Sequence, residues 1–248
     1  MKIIISNDDG VKSRGIICLA EKLSEKNDVL VVTPDGNRSA CSHSLTISDK
    51  IKLNKVRAES YNCYAISGTP ADCIKFAKLH FSEFNADIVV AGINKGHNLG
   101  SDILYSGTVS IACEAAFFGD IAFAFSAFSL GESNFSLYAD LCEKIINKLL
   151  PLSEKGDVWN VNFPDESLGE IKGYKITKLG KQIYTDRYEK VGENEYRLVG
   201  ELVDHDQNDE DCDIEWIKKG FVTITPILLN KTNYQKIREV KEKCEKLL

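Results

Sequence analysis

The sequence has no apolar run approaching the roughly 20 residues that a membrane-crossing helix needs, no CxxC pair, no internal repeat and no low-complexity linker. It also lacks a basic excess: Lys+Arg number 31 against Asp+Glu 37, a formal net charge of −6. Without a long apolar run, no membrane partner is expected. A protein that embraces long nucleic acid normally shows a basic footprint, so that partner is not expected either. A small phosphorylated ligand stays open, because one metal ion and a few backbone N–H groups can hold it. The 8 cysteines (Cys18, Cys41, Cys63, Cys73, Cys113, Cys142, Cys212 and Cys244) are scattered, mostly among apolar neighbours. That is the pattern of reduced thiols rather than of a disulfide framework. The run Lys2-Ile3-Ile4-Ile5 is strand-like and departs from the charged, apolar, small-residue order of a secretory signal, so a cytoplasmic location is expected.

What is present is 248 residues, 43% hydrophobic and 27% charged, close to a globular average and long enough for one elaborated domain. Short β-rich runs alternate with helical patterns, which predicts an α/β fold with a parallel sheet and covering helices. The strands are expected at Lys2–Ser6, Asp28–Thr33, Asp87–Gly92, Ile121–Ser126 and Val158–Phe163, and the helices near Ser13–Lys26, Ala71–Phe81, Val109–Phe118 and Ser136–Leu150. Thr69-Pro70-Ala71-Asp72 is a helix start with a hydroxyl cap, a proline at the first helical position and an early acid. Thr46–Leu53 and Tyr61–Ser67 suggest a β-hairpin inserted after the second strand. From Ile171 to Asp213 the chain is polar, weakly β-alternating and ends in the acidic run Asp204–Asp213, which predicts a projecting arm. Apolar β character returns at Phe221–Pro226, and a charged amphipathic helix follows over Tyr234–Leu247, with Ile237, Val240, Cys244, Leu247 and Leu248 near one side. These boundaries divide one structural unit into a core over 1–170, an arm over 171–213, and a return strand with an assembly helix over 214–248.

Chemistry concentrates where strands end. Ligands of open α/β sheets bind outside the carboxyl ends of the strands, and the first strand ends in Asn7-Asp8-Asp9-Gly10. Gly10 permits a turn that aims both acids at one point. Two hard anionic oxygens suit Mg²⁺ or Mn²⁺, although acids at this place also cap helices. The second strand leads into a loop of small and hydroxyl residues, Pro34 to Ser44, in which Ser39 offers a hydroxyl. The third leads into Gly92-Ile93-Asn94-Lys95-Gly96-His97-Asn98-Leu99-Gly100-Ser101-Asp102, and Tyr105-Ser106-Gly107-Thr108-Val109-Ser110 then opens a helix. Free N–H groups and a positive helix end there favour phosphate. With no Gly-Lys-Ser/Thr and no GxGxxG, neither a triphosphate loop nor a dinucleotide site is supported.

Taken in order, Asn7-Asp8-Asp9-Gly10, Ser39 with Ser42 and Thr46, Gly68-Thr69-Pro70-Ala71-Asp72-Cys73, Gly92-Ile93-Asn94-x-Gly96-x-Asn98-Leu99-Gly100-x-Asp102 and Tyr105-Ser106-Gly107-Thr108-Val109 resemble the SurE family of stationary-phase survival phosphatases, or 5'-nucleotidases. The match spans about residues 1–126, with echoes at Asn160-Val161-Asn162-x-Pro164 and Gly220–Pro226. The resemblance implies a Rossmann-like, three-layer phosphatase that hydrolyses nucleoside monophosphates, with possible 3'-nucleotidase and exopolyphosphatase activity. It implies one divalent ion per subunit, Mg²⁺ or Mn²⁺, held by Asp8, Asp9, Ser39 and Asn94, with Asp8, Asp9 and Asn94 catalytic. Phosphate would lie against Asn94, Ser106, Gly107 and Thr108. It also implies a homodimer or homotetramer joined through the arm and the C-terminal helix.

Several positions depart from the family. Arg14 stands where proline usually precedes Gly15, Gly36 replaces a larger residue, Cys212 precedes Asp213 where threonine is usual, and the aromatic-rich arm motif is poorly recovered in Asp186–Gly200. These bear on substrate preference and assembly rather than on reaction type. Three other functions remain open: a phosphatase with Asp8 as covalent nucleophile, although such enzymes usually separate the two acids by one residue; a metal-dependent nucleotide-sugar transferase; and a non-catalytic nucleotide-binding regulator. His43 and His97 lie in the loops, where an imidazole could exchange protons, but at positions the family motif leaves open. His80, His205, Lys95, Asp72 and Asp102 are expected in structural, solvated or orienting roles.

Overall fold

The computed structural model describes residues 1–128, 134–203 and 210–244. Its centre is a nine-stranded sheet. Six strands run parallel: β1 (Lys2–Ser6), β2 (Asp28–Pro34), β4 (Asn62–Ile66), β5 (Ile88–Lys95), β6 (Ile121–Ala127) and β7 (Val158–Phe163). β3 (Leu53–Val56) borders β4 antiparallel, while β13 (Val222–Ile227) lies antiparallel to β7 and carries β8 (Tyr174–Ile176) on its far side. The order is β3-β4-β2-β1-β5-β6-β7-β13-β8, so the winding reverses between β1 and β5. A crevice opens at such a switch point above the carboxyl ends of the strands.

The two faces of the sheet explain the layers. Ile3, Ile5, Val29, Val31, Val90, Phe123 and Phe125 pack under α1 (Arg14–Ser24) and α4 (Phe135–Leu149). The alternate residues Ile4, Leu30, Val32, Val89, Ala122 and Ala124 face α2 (Pro70–His80) and α3 (Gly107–Phe117). This produces the near-continuous apolar strands of a sheet covered on both sides. In α1 the buried Ile16, Leu19 and Leu23 recur at helical spacing, and Ser13 caps its start. Thr69 and Asp72 form a capping box on α2, with Pro70 at the first helical position.

Three expectations change. The inserted hairpin is real, but residues 46–52 form no strand: the pairing strand is β3, and β4 joins the main sheet beside β2. The Thr46 N–H is held at 3.1 Å by the Asp72 carboxylate, which draws this stretch to the start of α2 instead. The third strand runs on to Lys95 through a register shift between Ala91 and Asn94, so Asn94 lies on the strand itself. Within 171–213, β8 belongs to the main sheet, and Asp213 begins a short helix, α5 (Asp213–Lys218), fully buried rather than ending an exposed acidic run. The projecting part consists of β9 (Ile183–Tyr184) paired with β12 (Leu202–Val203), and β10 (Arg187–Gly192) paired with β11 (Glu195–Val199). The final helix, α6, covers Tyr234–Cys244. Asp204–Asp209, His205 included, and Leu247 and Leu248 lie outside the described residues.

Candidate metal and phosphate site

The crevice between β1 and β5 is built on Asn7. Its fully buried amide accepts from the Gly10 N–H (3.2 Å) and donates to the Gly10 carbonyl (3.1 Å) and the Ser13 hydroxyl (2.9 Å), and it is also bonded by the Thr33 hydroxyl. This folds the turn after β1 into one shape, with Gly10 at φ +91° packed on Gly36, where a Cβ would come within 2.9 Å of backbone. The turn directs Asp8 inward, only 4% exposed, and leaves Asp9 half-buried.

Asp8 meets the start of α3. Its Oδ1 accepts from the Thr108 hydroxyl at 2.5 Å. A Cβ on Gly107 would fall 2.7 Å from the Asp8 Cβ, so only glycine lets this helix end come so close. Ser106 caps the helix, its hydroxyl accepting from the Val109 N–H at 3.1 Å. First-turn N–H groups have no carbonyl partner inside the helix, so this end offers donors and a partial positive charge to an anion. Burial nevertheless dominates at Asp8 and pushes its pKa up to about 6; the Thr108 bond opposes the rise and Asp9 adds to it. Burial also raises Asp9, against the Lys95 N–H and the Lys95 charge.

Asn94 and Ser39 complete the set expected from sequence. The Lys95 N–H points to Asp9 Oδ2 at 3.4 Å, which brings the end of β5 beside the acid pair. Asn94 commits its Nδ2 to the Gly96 carbonyl (2.9 Å), leaving its side-chain oxygen as the atom it can offer. Ser39 is exposed on its loop, and the neighbouring Arg38 N–H donates to the Asp8 carbonyl at 2.7 Å, which ties that loop to the first strand. Among the described residues no group of three or more His, Cys, Asp or Glu side chains could hold a metal, and no basic side chain ion-pairs with Asp8 or Asp9. Two carboxylates that lack a basic ion-pair partner among the described residues, with a hydroxyl and an amide oxygen, fit a hard divalent cation, which favours oxygen donors and retains several waters.

The remaining candidates turn elsewhere. His43 Nε2 contacts Glu114 Oε2 at 2.8 Å, and the same carboxylate holds Lys75 at 2.9 Å. His97 contacts the Phe163 carbonyl at 2.7 Å, and burial lowers its pKa. Asp72 serves the capping box, His80 ends α2, and Asp102 accepts from the arm residue Tyr184 at 2.5 Å. Lys95 is exposed. Two residues quoted in the sequence patterns have anchoring roles that the sequence did not reveal. Asn7 opens the Asn7-Asp8-Asp9-Gly10 motif, but its contacts to Gly10 and Ser13 are set by the turn. Asp213 looked like part of an acidic run, yet it accepts from the N–H groups of Gly100 (2.8 Å), Gly180 (2.8 Å) and Ile214 (2.9 Å), and only the apolar Ile214 after it hinted at burial.

The profile of the family described as "Survival protein SurE" matches residues 3–186. The "5'-nucleotidase SurE" of Caldanaerobacter subterraneus subsp. tengcongensis is 42% identical over 248 residues, covering 96% of this chain and 95% of that protein. That of Thermoanaerobacter sp. (strain X514) is 43% identical over 246 residues, covering 96% of each. The crystal structure of the SurE protein from Aquifex aeolicus is similar with a TM-score of 0.79 at 36% identity, covering 97% of this chain and 98% of that one.

Proposed function

This chain belongs to the SurE family, and from that premise we propose that it is a 5'-nucleotidase, a phosphoric monoester hydrolase that converts nucleoside monophosphates to nucleoside and phosphate with the help of a divalent metal. The observation that carries this reading is a nearly buried carboxylate, Asp8, pressed against the Ser106-Gly107-Thr108 helix start with no basic side chain among the described residues ion-paired to it. A negative group beside an anion-binding helix end makes physical sense where a cation and a phosphate meet.

Asp8, Asp9, Ser39 and Asn94 would hold one Mg²⁺ or Mn²⁺, which when bound supplies charge neutralisation at the phosphoryl oxygens and Lewis acidity toward water. The N–H groups of Gly107 and Thr108 then hold the phosphoryl oxygens as charge builds on them, and Ser106 keeps that helix turn formed. Thr108 orients Asp8 through its hydroxyl. Phosphoryl transfer is mainly a matter of position and charge, so water can attack directly with no nucleophile triad. Every group in the set addresses phosphate rather than sugar, which supports 3'-nucleoside monophosphates and short polyphosphate as further substrates.

No helix among the described residues is long and apolar enough to cross a membrane. None of the eight cysteines is in a disulfide, which supports a reducing, cytoplasmic setting. Assembly as a dimer or tetramer through the arm and α6 is supported by the apolar side chains both expose, Tyr188, Tyr196 and Leu198 on the arm and Tyr234, Ile237 and Val240 on α6.

A phosphate-release panel over 5'- and 3'-nucleoside monophosphates and polyphosphate, with Mg²⁺, Mn²⁺ or EDTA, tests the reading. Release from 5'-monophosphates should need the metal and should fall at least 100-fold in Asp8→Asn and Asp9→Asn, within the range for losing a group that stabilises transition-state charge. Near-normal turnover in both variants would sink the assignment.

A further inference from the structure

The loop that joins Asn94 to the phosphate cradle is gripped by two asparagines of β7, two strands away in the sheet. Asn162 of β7 accepts the Asn98 N–H at its Oδ1 (2.8 Å) and donates from Nδ2 to the Asn98 carbonyl (3.0 Å), so one side-chain amide pairs with a peptide as an adjacent strand would. Asn160, two residues earlier on the same face, donates to that carbonyl at 2.8 Å. The Asn98 side chain reaches the Ser126 hydroxyl on β6 at 2.7 Å. All four residues are buried, in a sheet whose interior is mostly apolar.

The patch is a poor device for stability alone. Asn160 Oδ1 and the hydroxyl of Thr223, the cross-strand partner of Asn162, have no hydrogen-bond partner among the described residues, and a buried polar atom without a partner is unfavourable. What the amides accomplish is local. β5 ends with Asn94 in register with Ser126 and with the Gly96 N–H on the Ala127 carbonyl (2.9 Å). Asn98 is then fastened to β7, and Gly100 to Asp213. Asn94 therefore sits on a segment held at both ends, and the second end depends on Asn160 and Asn162.

We propose that Asn160 and Asn162 are positioning residues for the hydrolase: their amides clamp the Asn98 peptide and so fix where Asn94 presents its oxygen to the metal and where the phosphate loop begins. This rests on the function proposed above. Neither asparagine touches the reacting atoms.

The test uses Asn162→Asp, which keeps an acceptor for the Asn98 N–H but sets a repelling oxygen against its carbonyl, and Asn160→Ala, which removes one of the three clamp bonds. Mn²⁺ affinity is read by electron paramagnetic resonance titration, turnover by phosphate release from AMP at saturating Mn²⁺, and folding by near-UV circular dichroism. Asn162→Asp should weaken Mn²⁺ binding at least tenfold and lower kcat at least tenfold in a folded chain, and Asn160→Ala should weaken binding at least threefold. Variants that melt earlier yet bind Mn²⁺ and turn over within threefold of wild type overturn the proposal, because a merely structural role would do that. Should Asn162→Asp fail to fold, Asn160→Ala decides by the same criterion. Wild-type chain that binds Mn²⁺ but releases no phosphate overturns the hydrolase reading and leaves the titration to decide the clamp; wild-type chain that binds no Mn²⁺ overturns both.

Discussion

Asp8 carries two costs that a bound cation relieves together: its own desolvation and the neighbouring Asp9 charge. In the metal-free chain its folded pKa of about 6 lies above the ordinary 3.8, so the folded state holds the proton more tightly than the unfolded one between these values. The associated stability is complete below 3.8 and lost as pH rises through 6. At about 1.4 kcal/mol per unit, the ionised buried group then costs the apo chain about 3 kcal/mol. A cation should recover part of that cost only where Asp8 is ionised. The rise in melting temperature on replacing EDTA with Mn²⁺ should therefore be larger at pH 8 than at pH 5, and equal shifts at both would contradict the burial argument. This pair was legible at the level of residues because hard acids after a buried strand and before a glycine have few uses. Its altered acidity was not, because desolvation depends on what α3 brings against it.

Among elements, α5 and the base of the arm are fastened to the phosphate loop. Asp213 bonds three backbone N–H groups from three segments, and the arm adds Gln182 Nε2 to the Leu99 carbonyl (3.3 Å) and Tyr184 to Asp102. Asp213→Asn turns one acceptor into a donor facing an N–H group, whichever way the amide is oriented. It should cost about 2 kcal/mol, the scale of a buried hydrogen bond lost with its partner left unpaired, and lower kcat/KM as the Gly100 segment loosens. Denaturant unfolding checks the first and steady-state kinetics the second; a loss under 0.5 kcal/mol, well below the range for an orphaned buried group, would show the carboxylate is dispensable. The helices and parallel strands were readable from periodicity and caps, as with Thr69-Pro70-Ala71-Asp72. The extent of the first hairpin strand, the inclusion of β8 in the main sheet and the helix at Asp213 were not, because each is set by a partner distant in sequence.

For the whole molecule, the net charge of −6 says little about the site and much about the exterior. The β10–β11 hairpin is two-stranded, with Tyr188 opposite Leu198 and Tyr196 on the same face, all exposed, while Arg187, Glu189 and Arg197 occupy the other face. Such a ribbon is marginal alone in water and needs something to cover its apolar side. A second copy of the chain is the expected cover. If the proposed dimer or tetramer forms through this face, Tyr188→Lys with Leu198→Lys should convert it to monomer in multi-angle light scattering, with metal binding retained; an oligomer of unchanged mass would place the contact elsewhere.

Local chemistry, read along the chain, determined the class of fold, the donors available to a metal and the helix start available to a phosphate, because caps, turns and hydrophobic periods act over a few residues. Tertiary structure alone decided that the winding reverses between β1 and β5, so that Asp9 meets the end of β5 from 86 residues away. It also decided that asparagines on β7 grip the Asn98 peptide 64 and 62 residues before them. Such contacts are set by strand order and register, which no local pattern encodes.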